Sequence, residues 1–144
     1  MIEQDTVKLL RECDAGIKMG VSAIDDVLEY VHDDKLKETL SHSKDEHNAL
    51  KHEISSQLDR FHDDGKEPNP VAKSMSWMKT NVKLIMDESD ATIADLITDG
   101  CHMGTKSLNR YLNQYKAADE HSKDITKKLI AMEDTLSQDL RQYL

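Results

Sequence analysis

"SHSKDEHNALKHE", Ser41 to Glu53, places three histidines and three carboxylates in thirteen residues. A metal site is one reading of such a stretch, and the polar face of a helix is the other. Angular position separates them. His42, His47 and His52 follow one another at intervals of five, so successive imidazoles are rotated by about 140° around a helix and cannot share a face. His52 points to water and His42 lies towards the outside. His47 alone stands in line with Leu40, Leu50 and Ile54, and Ser43, one turn earlier, continues the line. The stretch reads as the middle of an amphipathic helix whose apolar seam turns polar at mid-length.

The same three- and four-residue spacing extends outward in both directions. Leu36, Leu40, Ser43, His47, Leu50, Ile54, Leu58 and Phe61 predict a helix from Asp34 to His62. Before it, Val7, Leu10, Cys13 or Asp14, Ile17, Val21, Ile24, Leu28 and Val31 predict one from Gln4 to Val31, and "HDDK" breaks the pattern between them. "DDGKEPNP" is the strongest break, and Pro70 suits the first turn of a following helix. That helix is short, Pro70 to Met86, with Val71, Met75, Met78, Val82 and Ile85 in line. "DESD" interrupts it, and Ser89 or Asp90 suits the next N-cap. Two further helices are expected, Ala91 to Tyr115 and Ala118 to Tyr143. The first carries Ile93, Ile97, Gly100, Gly104 and Leu108 on one face; the second carries His121, Ile125, Leu129, Met132, Leu136 and Leu140.

Four long helices in two short-turned hairpins predict an all-α single domain over residues 1–144. At about 1.5 Å per residue the 70–86 helix can cross most of a bundle, which returns the third long helix parallel to the second. An up-down five-helix arrangement is the competing topology. Composition agrees with helices: 33% charged and 38% hydrophobic residues suit amphipathic segments, and five glycines with two prolines leave little punctuation for a many-stranded sheet. A formal charge of −9 argues against general nucleic-acid binding. No apolar run approaches the about 20 residues that span a bilayer, and "MIEQDTVKLLREC" lacks the basic-then-apolar pattern of a signal peptide. Cys13 and Cys101 make no disulfide framework. A cytoplasmic, reduced setting, without nucleic-acid or membrane partners, is the expectation.

Residues 65–115, "GKEPNPVAKSMSWMKTNVKLIMDESDATIADLITDGCHMGTKSLNRYLNQY", resemble an uncharacterised bacterial family in the ferritin-like superfamily. The shared features are a Gly-x-x-Pro loop, here Gly65 and Pro68; a short helix bearing Trp, here Trp77; and a helix with a central Gly and a Tyr about eleven residues on, here Gly100 and Tyr111. The resemblance implies a ferritin-like four-helix bundle with a short helical crossover, and it raises di-iron chemistry through the superfamily.

A carboxylate-bridged di-metal bundle takes a Glu from each of two helices and a Glu-x-x-His from each of the others. No Glu-x-x-His occurs here: three residues after Glu46 stands Ala49, and three after Glu133 stands Leu136. On the first helix Glu12 lies away from the Leu10–Ile17 stripe, and Asp14 lies nearer to it. After Gly100, where the superfamily resemblance favours a Glu, stands Cys101. The remaining metal candidates are Asp14, Glu46, His47, Cys101 and Glu133, for iron or another transition metal. The functional reading of His47 is a metal ligand or one half of a pH-sensitive pair with Asp14 or Glu46; the competing reading is a neutral core histidine hydrogen-bonded to one partner. Buried structural thiols are expected at Cys13 and Cys101. No Gly-rich phosphate loop, C-x-x-C or H-E-x-x-H is present.

Trp77 and Leu84 form a second face of the short helix, roughly opposite Val71, Met75, Met78 and Val82. A surface helix needs one buried face, and Trp is enriched at interfaces, so a homo-oligomeric contact is expected there. The sequence points to a non-catalytic, self-associating structural or interaction protein that needs no cofactor. The alternative is a metal-binding or redox protein that uses a reduced carboxylate and histidine site.

Overall fold

The computed structural model describes residues 2–68 and 89–144. Four α-helices and no strand occur among them: α1 (Ile2–Leu28), α2 (Asp34–Asp59), α3 (Asp90–Gln114) and α4 (Glu120–Leu140), closed by a single 3₁₀ turn, Arg141–Tyr143. They form a four-helix bundle. The short helix expected over Pro70 to Met86 lies outside the described residues, as does its Trp77/Leu84 face.

Local chemistry sets the helix ends. Asp33, Ser89 and Asp119 are N-caps, each with an extended backbone and a side-chain oxygen that accepts from an amide of the first turn. After α2, Asp63 N–H reaches back to the Leu58 carbonyl and His62 N–H to that of Asp59. His62 sits at φ 56° between them. This is a Schellman closure with histidine in the left-handed position usually held by glycine.

Two apolar clusters fix the directions of the helices. One joins Ile24 and Val27 at the end of α1, Leu36 and Leu40 at the start of α2, Ile93 and Ile97 at the start of α3, and Leu136 and Leu140 at the end of α4. The other joins Leu10, Cys13 and Ile17 with Leu50, Ile54 and Leu58, Leu108, and Ile125 and Leu129. α1 and α4 therefore run one way and α2 and α3 the other. α1 and α4 each pack against both α2 and α3, so these neighbours are antiparallel. Full burial of each Leu or Ile in these clusters contributes about 1.5–3 kcal/mol.

α2 ends at one end of the bundle and α3 begins at the other. A crossover and a five-helix arrangement share these directions, and the residues that distinguish them lie outside the described segments. Both short turns are held by the start of a neighbouring helix. The Asp90 carboxylate accepts from His32 N–H and Asp33 N–H at 2.8 and 2.9 Å. At the other end, Thr6 and Asp5 accept from Asp119 N–H and Ala117 N–H at 2.8 and 3.0 Å.

Candidate functional site

The two apolar clusters do not merge. Between them α2 contributes His47 and α4 contributes Glu133, and α1 and α3 face the pair with Gly20 and Gly104. A Cβ on Gly20 would sit 3.5 Å from His47 Cδ2 and Nε2, and one on Gly104 would sit 3.9 Å from the Glu133 carboxylate carbon. An alanine fits at either position; a longer side chain meets the imidazole or the carboxylate. The seam that carries Leu40 and Leu50 inward carries Ser43 and His47 inward as well, because all lie on one face of α2.

His47 Nε2 lies 2.6 Å from Glu133 Oε1, with the two side chains 1% and 12% exposed. Nδ1 lies 2.7 Å from the Ser43 carbonyl, which can only accept, so Nδ1 carries a proton. Burial disfavours charge on the imidazole. The hydrogen bond and charge of Glu133, the Ser43 carbonyl and the nearby Glu46 carboxylate outweigh it and hold the His47 pKa above the ordinary imidazole value. Below that raised pKa Nε2 is protonated too, and the pair is an imidazolium donating to a carboxylate. Glu133 also takes a hydrogen bond from Cys101 of α3. Burial first, then the negative charge of Glu133, pushes that thiol well above its usual range.

Of the metal candidates, the structure joins His47 and Cys101 through Glu133 and separates the other two. Glu46 is half-exposed and faces His42 at 3.4 Å on the outer side of α2. Asp14 is buried but belongs to a different arrangement, described next. The expected partners of His47, Asp14 or Glu46, give way to Glu133, because α2 packs against α4 and the seam of α2 points at that interface. Among the described residues, no group of three or more His, Cys, Asp or Glu is arranged to hold a metal ion.

The second buried polar cluster binds the segment after α2 to the flank of α1. Asp14 Oδ2 accepts from Lys66 N–H at 3.0 Å and pairs with the Lys18 ammonium at 2.8 Å. Burial works against the ammonium, and the hydrogen bonds to Asp14 and Glu67 overcome it, so the Lys18 pKa is raised. Arg11 grips both oxygens of Asp63 at 2.9 and 3.0 Å, and the Lys66 ammonium pairs with Glu12. Gly65 lies at φ 91°, and a Cβ there would collide with the Asp14 carboxylate. Burial, followed by the charge and hydrogen bond of Glu12, raises the pKa of Tyr111, whose ring stacks on Tyr115 with centroids 6.2 Å apart. The sequence reads "DDGKEP" as a helix break and as the Gly-x-x-Pro loop of the family resemblance, not as a docking segment. The alternation of acid and base in it, against Arg11, Glu12, Asp14 and Lys18, is the signal that it docks.

Cys13 and Cys101 are both buried free thiols. Burial pushes Cys13 up to about 12, against the hydrogen bond to Thr126 at 3.2 Å. Neither thiol supplies a thiolate at neutral pH, the form that attacks or ligates.

No family model matches the chain, and no curated protein or solved structure is significantly similar to it. Among the described residues, no helix is long and apolar enough to cross a membrane.

Proposed function

We infer that the chain is a non-catalytic, ferritin-like helical bundle, a structural or interaction protein that self-associates as a homodimer in a cytoplasmic setting. The commitment of both His47 nitrogens carries this reading. Nδ1 donates to Ser43 and Nε2 to Glu133, and an imidazolium has no lone pair left for a metal. The two parallel, diagonally placed helices α2 and α3, joined by one long connection, support the ferritin-like part. Bundles of that kind build metal sites from facing side chains at mid-length. Here the residues at that level close on each other. A di-metal centre draws on carboxylates from all four helices and imidazoles from two, whereas this layer holds one carboxylate, one imidazole and a protonated thiol, so the donor set does not fit that group.

The second reading, a reduced metal site, is favoured by the meeting of His47 and Cys101 on Glu133. It requires His47 to give up its Nε2 proton. Both readings are tested on protein purified without chelator or affinity metal, by elemental analysis and sedimentation. Less than one iron per chain and a dimer mass are expected. Stoichiometric iron that Glu46→Ala with Glu133→Ala removes overturns the non-catalytic reading. A monomer mass, or a dimer unchanged by Trp77→Ser with Leu84→Ser, overturns the assigned interface.

A further inference from the structure

Along the sequence, acids and bases interleave; in the fold they sort. The layer of Gly20, His47, Gly104 and Glu133 divides the described residues into two halves. The half containing the α1–α2 turn holds thirteen Asp and Glu against four Lys and Arg, and the half containing the α3–α4 turn holds twelve against twelve. All the net negative charge of the described helices outside the layer is therefore at one end.

That acidic half contains an open groove of about 300 Å³ between α2 and α4. Met132 and Leu136 line it, with Glu38 and Glu46 of α2 along one side, beside Lys35 and His42, and Asp139 of α4 on the other. Glu38 and Asp139 are exposed, and neither carboxylate has an ion-pair partner among the described residues. An apolar floor between unpaired carboxylates favours a ligand that is apolar on one side and cationic on the other. The surrounding field, which extends over the whole half-bundle, attracts the same charge before contact.

We propose that the α2–α4 groove is a docking surface for a basic amphipathic segment of a partner protein, its apolar side chains on Met132 and Leu136 and its Lys or Arg side chains against Glu38, Glu46 and Asp139. The proposal rests on the interaction-protein reading and names the chemistry of the partner. The field brings the segment to the acidic half, and the apolar floor fixes where it seats. A small polycation would feel the field without needing the floor.

The test uses the full chain and a helical peptide with leucines on one face and lysines on the other, followed by calorimetry and amide chemical shifts. Binding is expected, with shifts confined to residues 35–46 and 132–139 and affinity falling as salt rises. Glu38→Gln with Asp139→Asn is expected to weaken binding about tenfold. Glu120→Gln with Asp124→Asn removes the same charge from the other half and is expected to leave it within about twofold. No binding overturns the proposal. So does equal weakening by both pairs, or equal affinity for spermine or for a lysine peptide without leucines, since each would mean charge alone. None of these outcomes touches the iron or sedimentation results, so the groove can fail while the bundle reading stands.

Discussion

Among the described residues the bundle buries ion-paired side chains in two places, around His47 and around Asp14, and secures them differently. In the central layer a side chain meets a side chain: His47 and Glu133, 86 residues apart, form a pair that depends on a proton held at Nε2. On the flank of α1 a side chain meets the backbone: Asp14 accepts the Lys66 amide, a donor that never titrates, and the Lys18 ammonium supplies the countercharge. The first device responds to pH and tolerates small changes of backbone. The second relies on a backbone path open to glycine.

The largest expected effect comes from breaking the first device. His47→Ala removes the imidazolium, leaves the Glu133 carboxylate in the core without its countercharge, and opens a void. A loss of about 2–4 kcal/mol is expected in urea unfolding. His52→Ala, on the exposed side of the same helix, should stay within about 0.5 kcal/mol. Equal small effects at both positions would mean that the polar seam of α2 does not face α4.

Gly65→Ala strikes the second device. It places a Cβ at φ 91° and against the Asp14 carboxylate, for a loss of about 1–3 kcal/mol. Asp14→Asn keeps the shape and the Lys66 hydrogen bond while removing the charge, so it should cost less than Gly65→Ala. An unchanged stability in Gly65→Ala would contradict the docking of the 63–68 segment on α1.

A smaller effect separates the two by pH. The folded pKa of His47 lies above the unfolded value of about 6.5, so the folded state holds this proton more tightly. The pair's contribution is complete below about 6.5 and is lost as pH rises through the folded pKa. Wild-type stability should therefore decline as pH rises from about 6.5 through the folded pKa, and His47→Ala should flatten that decline while Gly65→Ala leaves its slope intact. A His47 imidazole that titrates at or below the ordinary value by NMR would remove the ion pair from the account.

Most of the fold was legible because it is local. Apolar spacing placed each of the four described helices within a few residues of its observed bounds, and the cap at Ser89, one of two expected there, follows from the residue types that satisfy free amides. Burial of His47 and Ser43 was legible for the same reason, since the register of one helix decides it. The partner of His47 was not, because it depends on which helix lies opposite. Glu133 sits at the boundary of its own stripe, between Met132 and Leu136, and nothing within α4 shows whether it turns inward. Asp14 shows the same limit from the other side. Its stripe predicted depth, but the donor that satisfies it lies 52 residues away in a segment without periodicity.

The alternating directions of the helices have an electrostatic consequence. Each helix carries a macrodipole, with partial positive charge at its amide end and partial negative charge at its carbonyl end. All four helices have acidic residues in the first turn, and none has a basic residue in the last. The amide ends are answered by side chains within the helices; at the carbonyl ends the basic residues, Arg60 and Arg141, come only at the C-caps of α2 and α4. At the end where α1 and α4 finish, α2 and α3 begin, so each exposed set of carbonyls has the positive pole of a neighbouring helix beside it. The antiparallel backbone supplies compensation at every carbonyl end, including those of α1 and α3, where no arginine stands at the C-cap as Arg60 and Arg141 do after α2 and α4.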